Sequence, residues 1–318
     1  MAPDRNAPID TTARARLIDA YSPGARIVRA RRLRGGLGAH THVLHLVDRT
    51  GQRSKVVLRV YLSRDKLTPE RAIQEFRTLQ LLDAVGVAAS RPLLLDSNGA
   101  YFGEPAMLLS YLPGRSIYRP AGARDWTGDL ARAMLRIHAV TPARFDLSWL
   151  PRHGHDELAS DLVKLHMQVD ASGEPLAAEA LSFLEARVDD IEWLDPCLVH
   201  EDFWSGNTIW KRGRLTGVID WVDATLGDPR FDPPQCAIDA YLANDLETAD
   251  AVRNAYIQLS PQRVPDLWFF EAWVGMLALL NFRFWLMGYH DAGLTDVTTE
   301  VARERVEYYL RRAMSQGA

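Results

Sequence analysis

Residues 198–210 read LVHEDFWSGNTIW, and after a short interval residues 217–221 read GVIDW. Three side chains give this stretch its chemistry. Asp202 and Asn207 stand five positions apart on one predicted loop, and Asp220 closes the strand-like segment that follows. The pattern between them is strand-like over 208–211, a turn at Arg212 and Gly213, and strand-like again over 215–221, which predicts a short β-hairpin with polar groups at both ends. Phosphoryl transfer from a nucleotide asks little covalent chemistry of a protein. It needs a carboxylate to orient the attacking hydroxyl and hard oxygen ligands that hold Mg2+ on the phosphates. Asp202, Asn207 and Asp220 supply that set, and a hairpin fixes the separation of ligands at its ends. Taken singly, each is an ordinary turn or cap residue. Taken in this order and spacing, they predict a magnesium and phosphate site.

On the N-terminal side of the motif an amphipathic helix is predicted over 11–21, with Leu17, Ile18 and Tyr21 on one side. Strand-like segments follow at 27–33, 41–48 and 55–62. Thr68, Pro69 and Glu70 open a helix over 71–85, with Ile73, Phe76, Leu79 and Leu82 at helical spacing, stopped at Gly86. Strand candidates at 91–95 and 106–111 flank an Asn98-Gly99 turn, and Leu112-Pro113-Gly114 breaks the pattern. Residues 1–112 therefore predict a five-strand, one-helix lobe preceded by the N-terminal helix. Residues 113–318 predict helices at 127–140, 157–169 and 175–191, then the hairpin, then helix from Gly227-Asp228-Pro229 onward. The fold class is α+β: a small five-stranded N-terminal lobe and a larger, mainly helical C-terminal lobe.

The 318 residues are 47% apolar and 25% charged, an ordinary globular composition. The longest apolar run, 272–282, falls well short of the roughly twenty residues a membrane span needs, so a buried helix and no membrane partner are expected. The start lacks the apolar core of a secretory signal. Cys197 and Cys236 are too few for a disulfide framework or a zinc site. Together these predict a cytoplasmic protein. The net charge of −4 hides a division: residues 1–112 carry 17 Lys/Arg and 10 Asp/Glu, a balance of +7, and the remainder carries −11. A basic lobe suits a nucleotide, and an acidic one suits metal ions or a cationic substrate. No nucleic-acid partner is expected.

His200-Glu201-Asp202, with Asn207 five residues after the acid, resembles the His-Gly-Asp-x-x-x-x-Asn loop of the aminoglycoside phosphotransferase family. Ile219-Asp220-Trp221 followed by Gly227-Asp228-Pro229 resembles that family's magnesium segment, and the lobe order agrees over nearly the whole chain. The resemblance implies a two-lobed protein-kinase-like fold. It also implies a small-molecule O-kinase that uses Mg2+ with ATP or GTP and acts on a hydroxyl-bearing substrate. Asp202 is then the catalytic base or hydroxyl-orienting carboxylate, and Asn207 and Asp220 are the magnesium ligands. His200 props the loop, and Asp228 ties down the segment after the magnesium segment. Gly35, Gly36 and Gly38 correspond to the phosphate-covering loop, which is no Walker A sequence because no Gly-Lys-Ser/Thr follows. Arg59 stands where the third strand of kinases carries a lysine, with Glu75 as its helix partner. Guanidinium also binds phosphate. Lys55, of the same strand parity, stays open as the alternative phosphate ligand. Tyr111 and Leu112 fall at the hinge, where backbone groups meet adenine.

Two departures accompany the match. Glu201 replaces the motif's glycine and places a third carboxylate beside the site; it is expected to face solvent, with substrate binding as the alternative. Val222 stands where many relatives carry glutamate, leaving Asp223 as the acidic contact. Arg59 and Glu201 keep a non-catalytic nucleotide-binding or scaffold protein on the same fold open as the alternative. His40, His42 and His45 lie by parity on both faces of a strand, which suits packing rather than metal. His153-Gly154-His155-Asp156 has no matching ligand set nearby. The C-terminal aromatic run has the spacing of a helical core.

Overall fold

The computed structural model describes residues 10–33, 39–62, 68–120 and 125–318. They divide into two compact units: residues up to Gly114 with 216–223, and residues 115–215 with 224–318.

The first unit contains α1 (Thr11–Tyr21), β1 (Arg26–Arg32), β2 (Ala39–Val47), β3 (Arg53–Tyr61), α2 (Thr68–Val85), β4 (Pro92–Asp96) and β5 (Ala106–Ser110). Its strands form one antiparallel sheet in the order β1-β2-β3-β5-β4. The alternation of β3 decides which side chains face where. Val56, Leu58 and Val60 are buried with Leu44 and Leu46 of β2 and with Leu17 and Ile18 of α1. Burying each such aliphatic side chain stabilises by about 1.5–3 kcal/mol, and a one-residue slip would turn the whole set outward. Opposite parity then sends Lys55, Arg59 and Tyr61 to the other face. In α2 the buried residues Ala72, Glu75, Thr78, Leu79 and Leu82 recur every three to four positions, so Glu75 is the one acid within this buried stripe.

Residues 216–223 belong to this unit through long-range ties. The Val218 amide donates to the Ala88 carbonyl at 2.9 Å, and the Thr216 hydroxyl donates to the Pro113 carbonyl at 3.2 Å. A Cβ at Gly217 would come within 2.8 Å of Leu112 Cδ1. A division of the sequence at residue 112 leaves this segment with the helical part, because no local pattern marks contacts made more than a hundred residues away.

The second unit holds α3 (Trp126–His138), β6 (Arg152–His153), α4 (His155–Ser172), α5 (Pro175–Glu185), β7 (Cys197–Val199), β8 (Thr208–Lys211), β10 (Thr225–Gly227), α6 (Asp232–Ala243), α7 (Leu246–Leu259), α8 (Leu267–Asp291) and α9 (Thr299–Gln316). Strand β9 (Arg214–Val218) forms the hairpin with β8 and carries the chain back to the first unit. The helix predicted over 175–191 stops at Glu185. The Ala186 amide is shared between the carbonyls of Ser182 and Leu184, a tightened last turn, and 188–190 form a separate 3-10 turn. Helix α8 is long and apolar enough to cross a membrane by length and composition. Its Phe269, Phe270, Met276 and Leu279 are buried inside this unit, as in a core helix.

Strands β6, β7 and β10 were not predicted. They form a small sheet in the order β6-β10-β7, with β10 parallel to β6 and antiparallel to β7. Gly227 lies opposite His153, and a Cβ there would approach the His153 carbonyl oxygen to 2.6 Å. Glycine alone permits that approach. This sheet delivers the chain into the loop that carries Asp202.

Candidate active site

In the first unit Arg59 is the centre of a charged cluster. Its Nη1 lies 3.0 Å from Glu75 Oε1 and its Nη2 lies 2.6 Å from Asp220 Oδ1. Glu75 also accepts from the Tyr61 hydroxyl at 2.5 Å and from the Trp221 backbone amide. Arg59 and Glu75 are almost fully enclosed, whereas the Asp220 side chain is 31% exposed. Burial and the Asp220 charge push the Glu75 carboxyl up from its ordinary range, opposed by Arg59. The flanking carboxylates hold the guanidinium firmly protonated although burial works against it. A buried cation with two acids is stable only as a set.

Asp220 reaches Arg59 from a left-handed backbone, with φ of 66°. The turn is pinned next door, where the buried Trp221 indole donates to the Val218 carbonyl at 3.1 Å. Lys55 makes a different contact: its ammonium lies 5.2 Å from the centre of the Tyr111 ring, so Arg59 is the cation of this strand paired with Glu75. Tyr111 and Leu112 directly follow β5. Gly35, Gly36 and Gly38 lie outside the described residues.

In the second unit two buried acids, Asp232 and Asp239, fix the loop after β7, and a third, Asp228, ties the segment that precedes β7. Asp232 accepts from the His200 amide at 3.1 Å, the Glu201 amide at 2.9 Å and His138 Nε2 at 2.9 Å. Asp239 accepts from the Ser205 amide at 3.0 Å, from the Ser205 hydroxyl, and from the Tyr289 hydroxyl at 2.6 Å. Burial raises the Asp239 carboxyl, and these donors act against the rise. Asp228 forms a fully buried ion pair with Arg230 at 2.7 Å and accepts from the Leu194 amide at 2.9 Å. Arg230 then donates to the Pro265 and Glu192 carbonyls. His200 is fully buried and its Nδ1 accepts from the Asp202 amide at 3.2 Å.

Held this way, the loop sets the Asp202 and Asn207 side chains against each other. Asn207 Nδ2 donates to the Asp202 carboxylate at 2.8 Å and to the Asp202 carbonyl at 2.9 Å. Those two bonds commit the amide nitrogen, so the amide oxygen is the atom with metal-ligand chemistry. Asp220 offers a partly exposed carboxylate. Both are hard oxygen donors of the kind magnesium takes, and magnesium is commonly held by one or two side chains with substrate phosphates completing its shell. No cage of three or more His, Cys, Asp or Glu occurs among the described residues. Asn207, in the second unit, and Asp220, in the first, each have the donor chemistry that magnesium takes.

The expectation for Glu201 needs correction. Its carboxylate does not face solvent: Oε1 lies 2.8 Å from His153 Nδ1 and 2.7 Å from the Thr225 hydroxyl, with the side chain 16% exposed. The sequence reading also missed Asp232, Asp239 and His138, and weighed His153 only as a metal ligand. Asp232 and Asp239 carried a usable signal, since two acids seven residues apart fall on one face of the otherwise apolar DPPQCAIDA segment.

Residues 30–274 match the phosphotransferase enzyme family, and the chain belongs to it. It is 27% identical over 233 residues to acyl-CoA dehydrogenase family member 10 of Mus musculus, covering 67% of this chain and 20% of that protein. It is 27% identical over 202 residues to homoserine kinase of Methylobacillus flagellatus, covering 61% of this chain and 59% of the kinase. The chain thus spans less than two thirds of the length of either relative. Aminoglycoside phosphotransferase APH(4)-Ia superposes with a TM-score of 0.65 at 17% identity, over 97% of this chain and 100% of its own. A variant of that enzyme forms a ternary complex with AMP-PNP and hygromycin B. The likeness establishes the fold as the α+β, kinase-like fold of these phosphotransferases.

Proposed function

We propose that this chain transfers the γ-phosphate of ATP or GTP to a hydroxyl of a small molecule. One observation carries the reading above all: Asp202, which follows a left-handed residue on a loop tied to Asp232, has its carboxylate held by Asn207 at 2.8 Å. A carboxylate fixed to that degree suits a group that orients a hydroxyl and takes its proton at Oδ as the phosphoryl group arrives. Asn207 and Asp220 would hold the magnesium ion, whose role is to neutralise charge on the phosphates. Arg59 holds the α- and β-phosphates, and Glu75 and Tyr61 keep its guanidinium aimed. Tyr111 and Leu112 offer backbone groups to the base. Membership of the phosphotransferase family and likeness to a homoserine kinase and an aminoglycoside phosphotransferase support this assignment.

The acceptor belongs to the hydroxyl-bearing small molecules, and the balance of −11 over residues 113–318 favours a cationic one. The test is a panel of amino-acid, amino-alcohol, aminoglycoside and macrolide acceptors with ATP or GTP and Mg2+, read as nucleoside diphosphate release and product mass. Wild type should phosphorylate at least one class. Asp220→Ala should reduce that turnover to background while remaining folded, because Arg59 keeps its bond to Glu75. Wild-type turnover by Asp220→Ala would refute the metal assignment.

A further inference from the structure

Glu201 is joined directly to Asp202 and has a backbone φ of 66°, a region that disfavours every residue with a side chain. The resembled motif carries glycine there. Two groups compensate for the strained backbone. The Glu201 amide donates to Asp232, and the carboxylate accepts from His153 Nδ1 and the Thr225 hydroxyl. The small sheet supplies both donors. Thr225 pairs with Val199, the residue that leads into the loop, and His153 pairs with Gly227 two positions further along.

We propose that Glu201 is a positioning residue, gripped by His153 and Thr225, that sets Asp202 and makes its placement depend on the protonation of His153. This rests on the phosphotransferase reading given above. The His153 ring stacks on Phe231 at 4.0 Å and 11°, with Trp273 at its edge. Its Nε2 is buried without a hydrogen bond, 4.0 Å from Asp161 Oδ2. Glu201 in the loop and Asp161 and Glu157 of α4 are the charged groups that act on it. Burial lowers the His153 pKa, but those three carboxylates outweigh burial and leave it raised above 6.5. Below that raised pKa the grip is an ion pair. As pH rises through it, His153 keeps the Nδ1–H bond and loses the charge, so the hold on Glu201 weakens on the alkaline side.

The experiment combines the His153 Cε1–H titration by NMR with kcat and nucleotide KM against pH, for wild type, Glu201→Gln and Glu201→Gly. His153 should titrate above 6.5 in wild type and at lower pH in both variants. Glu201→Gly should lower kcat by at least about tenfold at unchanged nucleotide KM, within the roughly hundredfold that a 1 Å misplacement costs. Glu201→Gln keeps the acceptor oxygen, so it should recover most of kcat at neutral pH and move the alkaline limb to lower pH. A His153 titration unchanged in Glu201→Gln overturns the grip, as does Glu201→Gly with the kcat and pH profile of wild type. If wild type phosphorylates no acceptor while the His153 titration still shifts in Glu201→Gln, the phosphotransferase reading fails and the grip stands.

Discussion

Arg59 is the residue whose surroundings say most about its work. Strand parity sends it away from the apolar core, and there it meets Glu75 and Asp220 at 3.0 and 2.6 Å. Arg59→Ala is expected to raise the nucleotide KM and lower kcat, and Arg59→Lys to recover much of both. Lys55→Ala should change little, because the Lys55 ammonium stacks on Tyr111 outside the charged cluster. Steady-state kinetics at varied nucleotide concentration check this, and a damaging Lys55→Ala beside a silent Arg59→Ala would reverse the assignment. At this scale the sequence was legible where chemistry is contiguous. Asp202 and Asn207 stand five positions apart on one loop and Asp220 follows two residues after β9, so order and spacing, with the family resemblance, mark them as candidates. Glu201 was misread because its partners, His153 and Thr225, lie 48 and 24 residues away, and nothing in its own neighbourhood announces them.

At the level of elements, the loop after β7 is stabilised from α6 more than from within. Asp232 takes two loop amides and His138 while fully buried. Asp232→Ala leaves those donors unsatisfied, at about 1–3 kcal/mol each for a buried group. A loss of several kcal/mol in urea unfolding is expected, with kcat reduced more than nucleotide affinity. A variant of wild-type stability would show that the loop holds itself. The five strands of the first unit and its helices were legible because periods of two and of three to four repeat long enough to be seen. Strands β6, β7 and β10 have two or three residues each, too few for any period. The pairing of β10 with β6 needs Gly227 to approach the His153 carbonyl, a contact between segments 74 residues apart in the chain.

For the molecule as a whole, buried titratable groups set how stability responds to pH. His42, paired across the sheet with Leu58, is 8% exposed. Burial first, then Arg14, Arg32 and His40, lower its pKa to about 4. The unfolded chain therefore binds the extra proton between about pH 6.5 and 4, and stability falls as pH drops through that window. The effect is at most about 3.5 kcal/mol at about 1.4 kcal/mol per pKa unit. The raised carboxyls of Glu75, Asp239 and Glu271 act in the opposite sense. The comparison that isolates His42 is the urea midpoint against pH for wild type and His42→Gln, where wild type should lose stability more steeply below pH 6.5. Parallel curves would remove His42 from the account. The central claim, transfer of a phosphoryl group to a hydroxyl oriented by Asp202, is tested most directly by Asp202→Asn. That change keeps size and hydrogen bonding while removing the charge that acts on the transition state. The account predicts an unchanged calorimetric Kd for Mg·nucleotide with kcat lowered by at least about a hundredfold, on the general-base scale of roughly 10²–10⁴. Equal kcat for Asp202→Asn and wild type would contradict it.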